Sequence, residues 1–446
     1  MSTLPTSWVE TNLGTVVPYG ATVKAEPKDL TPDTWVLELE DIEKDTTKVL
    51  QRMTFSERQS KSTKNRFDVG DILYGKLRPY LNKVTFADQP GVCTTEIVPI
   101  KPTEVVDGRY LFHWLRHHRF LNYVTDVSHG VNMPRLGTEA GRQAPFVLAP
   151  KNEQKRIADK LDTVLTRVDA VNTRLAHIAP ILKRFRQSVL AAATSGRLTE
   201  DWRHAHRAAD WTPKTVESLC LHISDGPFGS NLKSDDYTDG GARVVRLENI
   251  GHLSFDAVKE TFISMDKYET LKKHTLMPGD LLFSSFVDEE VRVCEFPANI
   301  AEPAINKADC FCLRVDRAQV DPRFLAFRLA CKSTYQSLKD LVHGATRPRI
   351  NLRQLRGFKV MLPSTDEQAE ILRRVETLFA HASRLEARLQ TARTTTERLT
   401  PALLAKAFRG DLVPQDPNDE PASELLRRLQ QEAPLTSAKR GRKSAG

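Results

Sequence analysis

No apolar run in the chain approaches the roughly 18 residues that a membrane-spanning helix needs. The opening MSTLPTSWVE has neither the basic nor the apolar stretch of a secretory leader. Cysteine is scarce: six residues in 446, none in a Cys-x-x-Cys pair, too few for a disulfide framework. A cytoplasmic protein with reduced thiols is therefore expected. Cys310-Phe311-Cys312 suggests a metal only in isolation, since alternation within the strand-like run 310–315 accounts for it. Proline (25) and glycine (21) are thinly spread, and 40% hydrophobic with 27% charged residues describes a folded chain rather than a disordered or fibrous one.

Catalytic motifs are missing as well. There is no Gly-x-x-x-x-Gly-Lys-Ser/Thr loop, no Gly-x-Gly-x-x-Gly after a strand, no Gly-x-Ser-x-Gly elbow and no His-Glu-x-x-His. Gly226-Pro227-Phe228-Gly229-Ser230 comes nearest to a phosphate loop, but it lacks the lysine and reads as a surface turn. Asp288-Glu289-Glu290 has no counterpart elsewhere in the chain and reads as a solvated loop rather than a metal site. His129 and His343 recur beside glycines, and without a matched carboxylate or nucleophile they read as turn residues rather than acid–base catalysts. No catalytic site, metal site or cofactor is expected in this chain.

What is present is a duplication. Glu153-Gln154-x-x-Ile157 recurs as Glu367-Gln368-x-x-Ile371, and Ser195-Gly196-Arg197-Leu198 as Arg409-Gly410-Asp411-Leu412, both 214 residues on. The same offset carries Arg109-Tyr110-Leu111 onto Arg323-Phe324-Leu325, and Pro134-Arg135-Leu136 onto Pro348-Arg349-Ile350. Upstream the offset falls to 209 for Gly70-Asp71-Ile72-Leu73-Tyr74 against Gly279-Asp280-Leu281-Leu282-Phe283, and to 208 for Val36–Ile42 against Val244–Ile250. Each half begins with a mixed α/β globule: strand-like runs near 35–39, 97–100, 244–247 and 311–315, with a helix expected near 109–124 and again near 323–341.

Each globule is followed by a helical segment. Positions 157, 161, 164, 168, 171, 175, 178, 182, 185 and 189 alternate steps of four and three and are apolar throughout, a heptad seam in which Ile157, Leu161, Val164, Val168 and Leu175 are the leading packing residues. The second copy supplies Ile371, Val375, Leu378, Leu385 and Leu389 and continues through Leu399. Helices of ~45 residues would extend about 65 Å. Pro180 and Pro401 should kink or break them, and Gly196 and Gly410 suit their ends. Connectivity requires the second helix to run back antiparallel if the seams pack together, so that two related globules are held apart about a pseudo-two-fold axis. The expected class is α+β, with globules at 1–150 and 211–365, helical spacers at 151–200 and 366–412, and a linker, short helix and basic tail at 413–446.

The net charge of +8 is unevenly placed: 18 basic against 18 acidic residues over 1–150, 12 against 7 over 151–210, 21 against 20 over 211–365, and 14 against 12 beyond. Nucleic-acid binding must therefore come from local clusters. One leads from Lys64 and Arg66 into Lys76, Arg78, Tyr80, Asn82 and Lys83, with Asn132 and Arg135 on a second turn; the other gathers Thr346, Arg347, Arg349, Asn351 and Arg353. Arginine can hold phosphate or guanine, and asparagine adenine. A duplicated, non-catalytic globule at fixed separation suits two half-sites of duplex DNA. It would also suit a scaffold that binds proteins.

On these residues the chain resembles the specificity subunits of type I restriction-modification systems, over essentially residues 1–412. The features are Leu4–Trp8, Gly70–Tyr74, the Gly-x-x-x-Pro-Arg-Leu/Ile turns at Gly130 and Gly344, and Pro150–Ile157; the second copy of the last has one more residue before Glu367. The resemblance implies two target-recognition domains, each reading half of an asymmetric bipartite site in double-stranded DNA, with the helices measuring the unread spacer. It also implies docking of two methyltransferase subunits and joining by restriction (translocase/nuclease) subunits. S-adenosylmethionine, ATP and Mg2+ would belong to those partners and not to this chain.

Overall fold

The computed structural model describes residues 4–130, 132–287, 290–340, 342 and 348–432. Contacts divide the chain into two compact units, one formed by residues 1–175 with 391–446 and the other by 176–390. The division falls inside the two long helices, Lys151–Ala193 and Thr365–Ala407, each 43 residues long.

The globules share a core and differ at its edges. In the first, Trp35–Leu37 pairs in parallel with Gly91–Cys93 and antiparallel with Met53–Thr54. In the second, Ala242–Val245 pairs in parallel with Ala304–Asn306 and antiparallel with Phe262–Ile263. A second sheet places Ile72–Gly75 between Val84–Phe86 and Ile97–Ile100, matched by Leu281–Ser284 between Val293–Glu295 and Cys310–Val315. Beyond this core the first globule adds Lys64–Phe67 and Val23–Ala25 to one edge, whereas the second adds Tyr237–Thr238 and, on its other sheet, Cys220–Ser224. The duplicated Gly-Asp turn has a physical reason in both copies. Gly70 and Gly279 take φ of +89° and +86°, and the following Asp71 and Asp280 carboxylates accept the N–H of Asp68 (2.9 Å) and Met277 (2.7 Å), closing the turn into the strand.

Two expectations change. The helices near 109–124 and 323–341 are each broken in two, as Gly108–Trp114 with His118–Asp126 and Pro322–Ala330 with Lys332–Lys339. The break is an extended residue, His117 or Cys331, at one repeat position (117 + 214 = 331). Conversely, Pro180 and Pro401 do not break the long helices, which run through them. Both prolines are exposed, so the carbonyls that lose an N–H partner can be hydrated.

Within the first unit Ile157, Leu161 and Leu165 share a core with Leu404, Ala407 and Phe408. Within the second, Val189 and Ala193 share one with Ile371, Leu372 and Val375. The start of each long helix thus packs with the end of the other, an antiparallel pairing. Arg186 adds a two-pronged ion pair to Glu386 (3.1 and 2.9 Å) while lying over the Phe379 ring. Of the seam residues, Val168, Ala382 and Leu389 are buried, and Val164, Leu175, Leu378 and Leu385 half-buried. Val171 (44% exposed) and Leu399 (41%) fall outside the seam. Burial at 157, 161, 165 and 168 follows steps of four, four and three, while the later heptad positions Leu182 and Val189 are again buried.

At the head of each helix the Glu-Gln pair is wholly buried. Gln154 accepts the Asp107 N–H (2.8 Å) and donates to the Val105 and Ala149 carbonyls (3.0 and 2.8 Å). Gln368 does the same with Asp321, Gln319 and Pro363 (2.8, 3.2 and 3.0 Å). Glu153 accepts the Trp8 indole N–H (2.9 Å) and the Gln415 amide, and Glu367 accepts the Trp211 indole N–H (3.0 Å) and the Thr199 hydroxyl (2.8 Å). Segments that follow one helix thereby close the unit headed by the other. Gly196 (φ +77°) and Gly410 (φ +84°) make the turns that lead into them. The short helix expected near 423–431 is Ala422–Glu432, whose Ala422 and Leu425 join the core of the first unit.

Replacing either glutamine with leucine removes the partner of three backbone groups, one buried and two half-buried, the buried one costing about 1–3 kcal/mol. Gln154→Leu should destabilise the first unit and Gln368→Leu the second, by similar amounts. Hydrogen exchange monitored along the chain checks this; an effect spread evenly over both units would contradict it.

Candidate nucleic-acid interface

In the first globule the strand Ile72–Gly75 runs out into Lys76-Leu77-Arg78, which is bound to the turn 132–136. Arg78 N–H donates to the Pro134 carbonyl (2.7 Å) and Leu136 N–H to that of Lys76 (2.9 Å). Arg78 has φ of +51° and its guanidinium reaches the Asn132 carbonyl (3.4 Å). The result is a ridge on which Arg78, Tyr80, Asn132, Met133 and Arg135 are all exposed, Tyr80 at 50% and Met133 at 45%. Arg135 is steadied by Glu96 (3.1 Å).

The same backbone recurs in the second globule: Val287 N–H donates to the Pro348 carbonyl (3.0 Å) and Ile350 N–H to that of Ser285 (3.0 Å). Lys76, Leu77 and Arg78 therefore correspond to Ser285, Phe286 and Val287. On an unchanged frame, half-buried Lys76 and exposed Arg78 give way to Ser285 and Val287, both buried, with Phe286 half-buried between them. Arg349, the counterpart of Arg135, lies 3.5 Å from Asp309 and over the Phe286 ring.

Three candidates leave the interface. Lys64 is 3% exposed because it sits in the sheet paired with Glu38 at 2.7 Å. Lys83 donates to the Leu39 carbonyl (2.7 Å), and Asn82, buried, forms the left-handed end of the turn 79–81. Lys64 and Lys83 spend their ammonium groups inside the globule, and Asn82 is set there by its left-handed backbone. Arg66 is exposed on an added strand and donates to the Asp29 carbonyl (3.2 Å), and Lys76 is half-buried. Asn351 caps the helix Leu352–Gly357, its side-chain carbonyl taken by the Gln354 N–H (2.9 Å), while Arg353 is exposed on the first turn of that helix. Thr346, Arg347 and the recurring His343 lie outside the described residues, as do Asp288, Glu289 and the basic tail.

Met133 was not singled out by charge or hydrogen-bonding capacity, and its exposure shows only in the folded turn. A buried network behind the second ridge was equally hidden. Asp225 accepts the N–H groups of Gly226 (2.7 Å) and Asp309 (2.9 Å), and Asp309 in turn accepts the Ser285 hydroxyl (2.9 Å). Burial, with some repulsion from Asp309, pushes the Asp225 carboxyl up to about 6 against the pull of its two donors. Among the described residues no cluster of His, Cys, Asp or Glu has the makings of a metal site. All six cysteines are free thiols, and no helix is long and apolar enough to cross a membrane.

A family model described as the type I restriction modification DNA specificity domain matches residues 5–179 and 293–392. The chain is 30% identical over 359 residues to the type I restriction enzyme StySPI specificity subunit of Salmonella potsdam, covering 76% of this chain and 75% of that one. It is 29% identical over 360 residues to the EcoKI specificity subunit of Escherichia coli K12, with the same coverage. Among solved structures it resembles a chain of a type I R-M system (TM-score 0.73, 20% identity, 92% of this chain and 99% of that one). It also resembles the HsdS subunit from Thermoanaerobacter tengcongensis (TM-score 0.57, 20% identity, 92% and 98%). The likeness to the structures is one of fold.

Because the folded form holds the Asp225 proton more tightly than an ordinary aspartate near 3.8 does, the second unit takes up a proton between about pH 6 and 4 that the unfolded chain takes up only lower. Lowering the pH from 7.5 to 5 should therefore stabilise the wild type relative to Asp225→Asn. Melting temperatures of the two proteins across that range check it, and a constant difference would contradict it.

Proposed function

The chain belongs to the type I restriction modification DNA specificity family, and from that premise we propose that its two globules each read one half of a bipartite site in double-stranded DNA. The observation that carries this reading is the pair of ridges: one backbone frame, built twice, with Arg78, Tyr80, Asn132, Met133 and Arg135 exposed on one copy, and on the other Arg349 over a half-buried Phe286, with Val287 buried where the first copy has Arg78. A repeated frame with different exposed chemistry is what two different half-sites require. Arginine and asparagine offer forked donors to base edges, and the aromatic and thioether groups offer apolar contact to base faces and thymine methyls.

The long helices, each running from one unit into the other, are proposed to set the unread spacer. Their exposed faces would dock two methyltransferase subunits, to which restriction subunits add in the full complex. In this reading the chain supplies recognition and no chemistry. S-adenosylmethionine, ATP and Mg2+ belong to its partners. A scaffold that binds only proteins would leave the duplicated, differently dressed ridges without a use.

Selection from a randomised duplex pool should enrich a bipartite motif, and failure to enrich any sequence at moderate salt would sink the proposal. On the enriched duplex Arg78→Ala should weaken binding by about 1–3 kcal/mol and relax one half of the motif. Lys64→Met should lower the melting temperature and leave the motif intact. Removing seven residues, two helical turns, from both long helices should shorten the spacer of the enriched motif; an unchanged spacer would contradict the measuring role.

A further inference from the structure

The second globule has an exposed element that the ridge does not include. The strand Cys220–Ser224, absent from the described core of the first globule, pairs with Cys310–Val315 and delivers the segment Asp225-Gly226-Pro227-Phe228-Gly229-Ser230-Asn231. Its two ends are fixed. A Cβ at Gly226 would lie 2.2 Å from the Lys307 carbonyl carbon, so the chain passes against that backbone, and Pro227 beside it is buried. At the other end Leu232 is buried with Ala242, Val244 and Ile263. Only 228–231 stands out, and there Phe228 is 58% exposed, followed by Gly229 at φ +49° with open space around it and by exposed Ser230 and Asn231. The loop thus presents an aromatic ring to solvent on a mount fixed at both ends.

Charge and continuity say what partner fits it. The base of the loop joins the ridge through Asp225, Asp309 and Arg349. The supporting strand is tied to the helix that bears Arg353 by Arg356, which donates to the Ile223 carbonyl (2.7 Å). Lys233 follows the loop and is exposed. An aromatic ring, an amide and a hydroxyl on one loop, with exposed Lys233 following it, suit nucleic acid: every base has a face for the ring, and asparagine can fork onto adenine.

Resting on the DNA-reading function above, we propose that the loop Phe228–Asn231 is a base-contacting, specificity-determining element of the second globule, with Phe228 packed on a base and Asn231 on a neighbouring base edge. The full chain is measured on the duplex that the wild type enriches from a random pool. Phe228→Ala and Asn231→Ala should each lose roughly ten- to a hundredfold in affinity, and the sequence preference should relax in one half only. The salt dependence should stay as in the wild type, since neither residue neutralises a phosphate. Phe228→Tyr should retain binding, and Leu221→Ala, an exposed residue of the supporting strand, should leave it unchanged. Melting temperatures establish that the variants are folded. Unchanged affinity and motif in both alanine variants would overturn the proposal while the DNA-reading function stands. So would an equal loss on enriched and random duplexes. A wild type that enriches nothing removes both.

Discussion

A carboxamide and a carboxylate, side by side and out of reach of water, hold each unit to its long helix. Gln154 and Gln368 satisfy two carbonyls and an N–H where the helix leaves the globule, so its exit direction is fixed by three hydrogen bonds from one buried side chain. Glu153 and Glu367 are costlier groups to bury, and burial raises the pKa of Glu153. Their partners make them tolerable. One is a tryptophan from the start of the same globule, the other a residue from the segment that follows the opposite helix. The charge thus demands a contact that only the other half of the chain can provide, and duplication at the level of sequence becomes interdependence at the level of structure.

Variation is confined to places where this framework does not reach. The parallel strand pair, the Gly-Asp turn and the ridge backbone recur with the same hydrogen bonds. The added strands lie on different sheet edges in the two globules, and the ridge side chains differ almost completely. Packing and backbone hydrogen bonding constrain the first set, since changes there leave cavities or unpaired groups. Solvent constrains the second very little, which leaves it free to specialise.

Much of this was legible in the sequence because the duplication supplied its own internal comparison. Most residues that recur at offsets of 208 to 214 proved to be scaffold, as with Gly70 and Gly279 or Glu153 and Glu367, while the recurring Arg135 and Arg349 are exposed on the ridges. Both long helices followed from apolar periodicity, although Val171 and Leu399 are exposed rather than in the seam. The candidate site was less legible. Basic residues look alike in a sequence, and only the sheet shows that Lys64 is committed to Glu38 and Lys83 to a carbonyl. Sequence reading likewise favoured charge, and so passed over Met133 and gave Phe228 only the role of a turn. His117 and Cys331 interrupt helices at a position where nothing in their residue types demands it.

The first unit takes its residues from both ends of the chain, whereas the second is a continuous stretch, 176–390. A ribosome therefore releases everything the second unit needs before the first can finish: Trp8 and Glu153 emerge early but wait for Gln415, and the pocket for Phe408 stays open until the second long helix is made. Assembly during translation would proceed from the middle outward, and the earliest-synthesised globule would be the last to close.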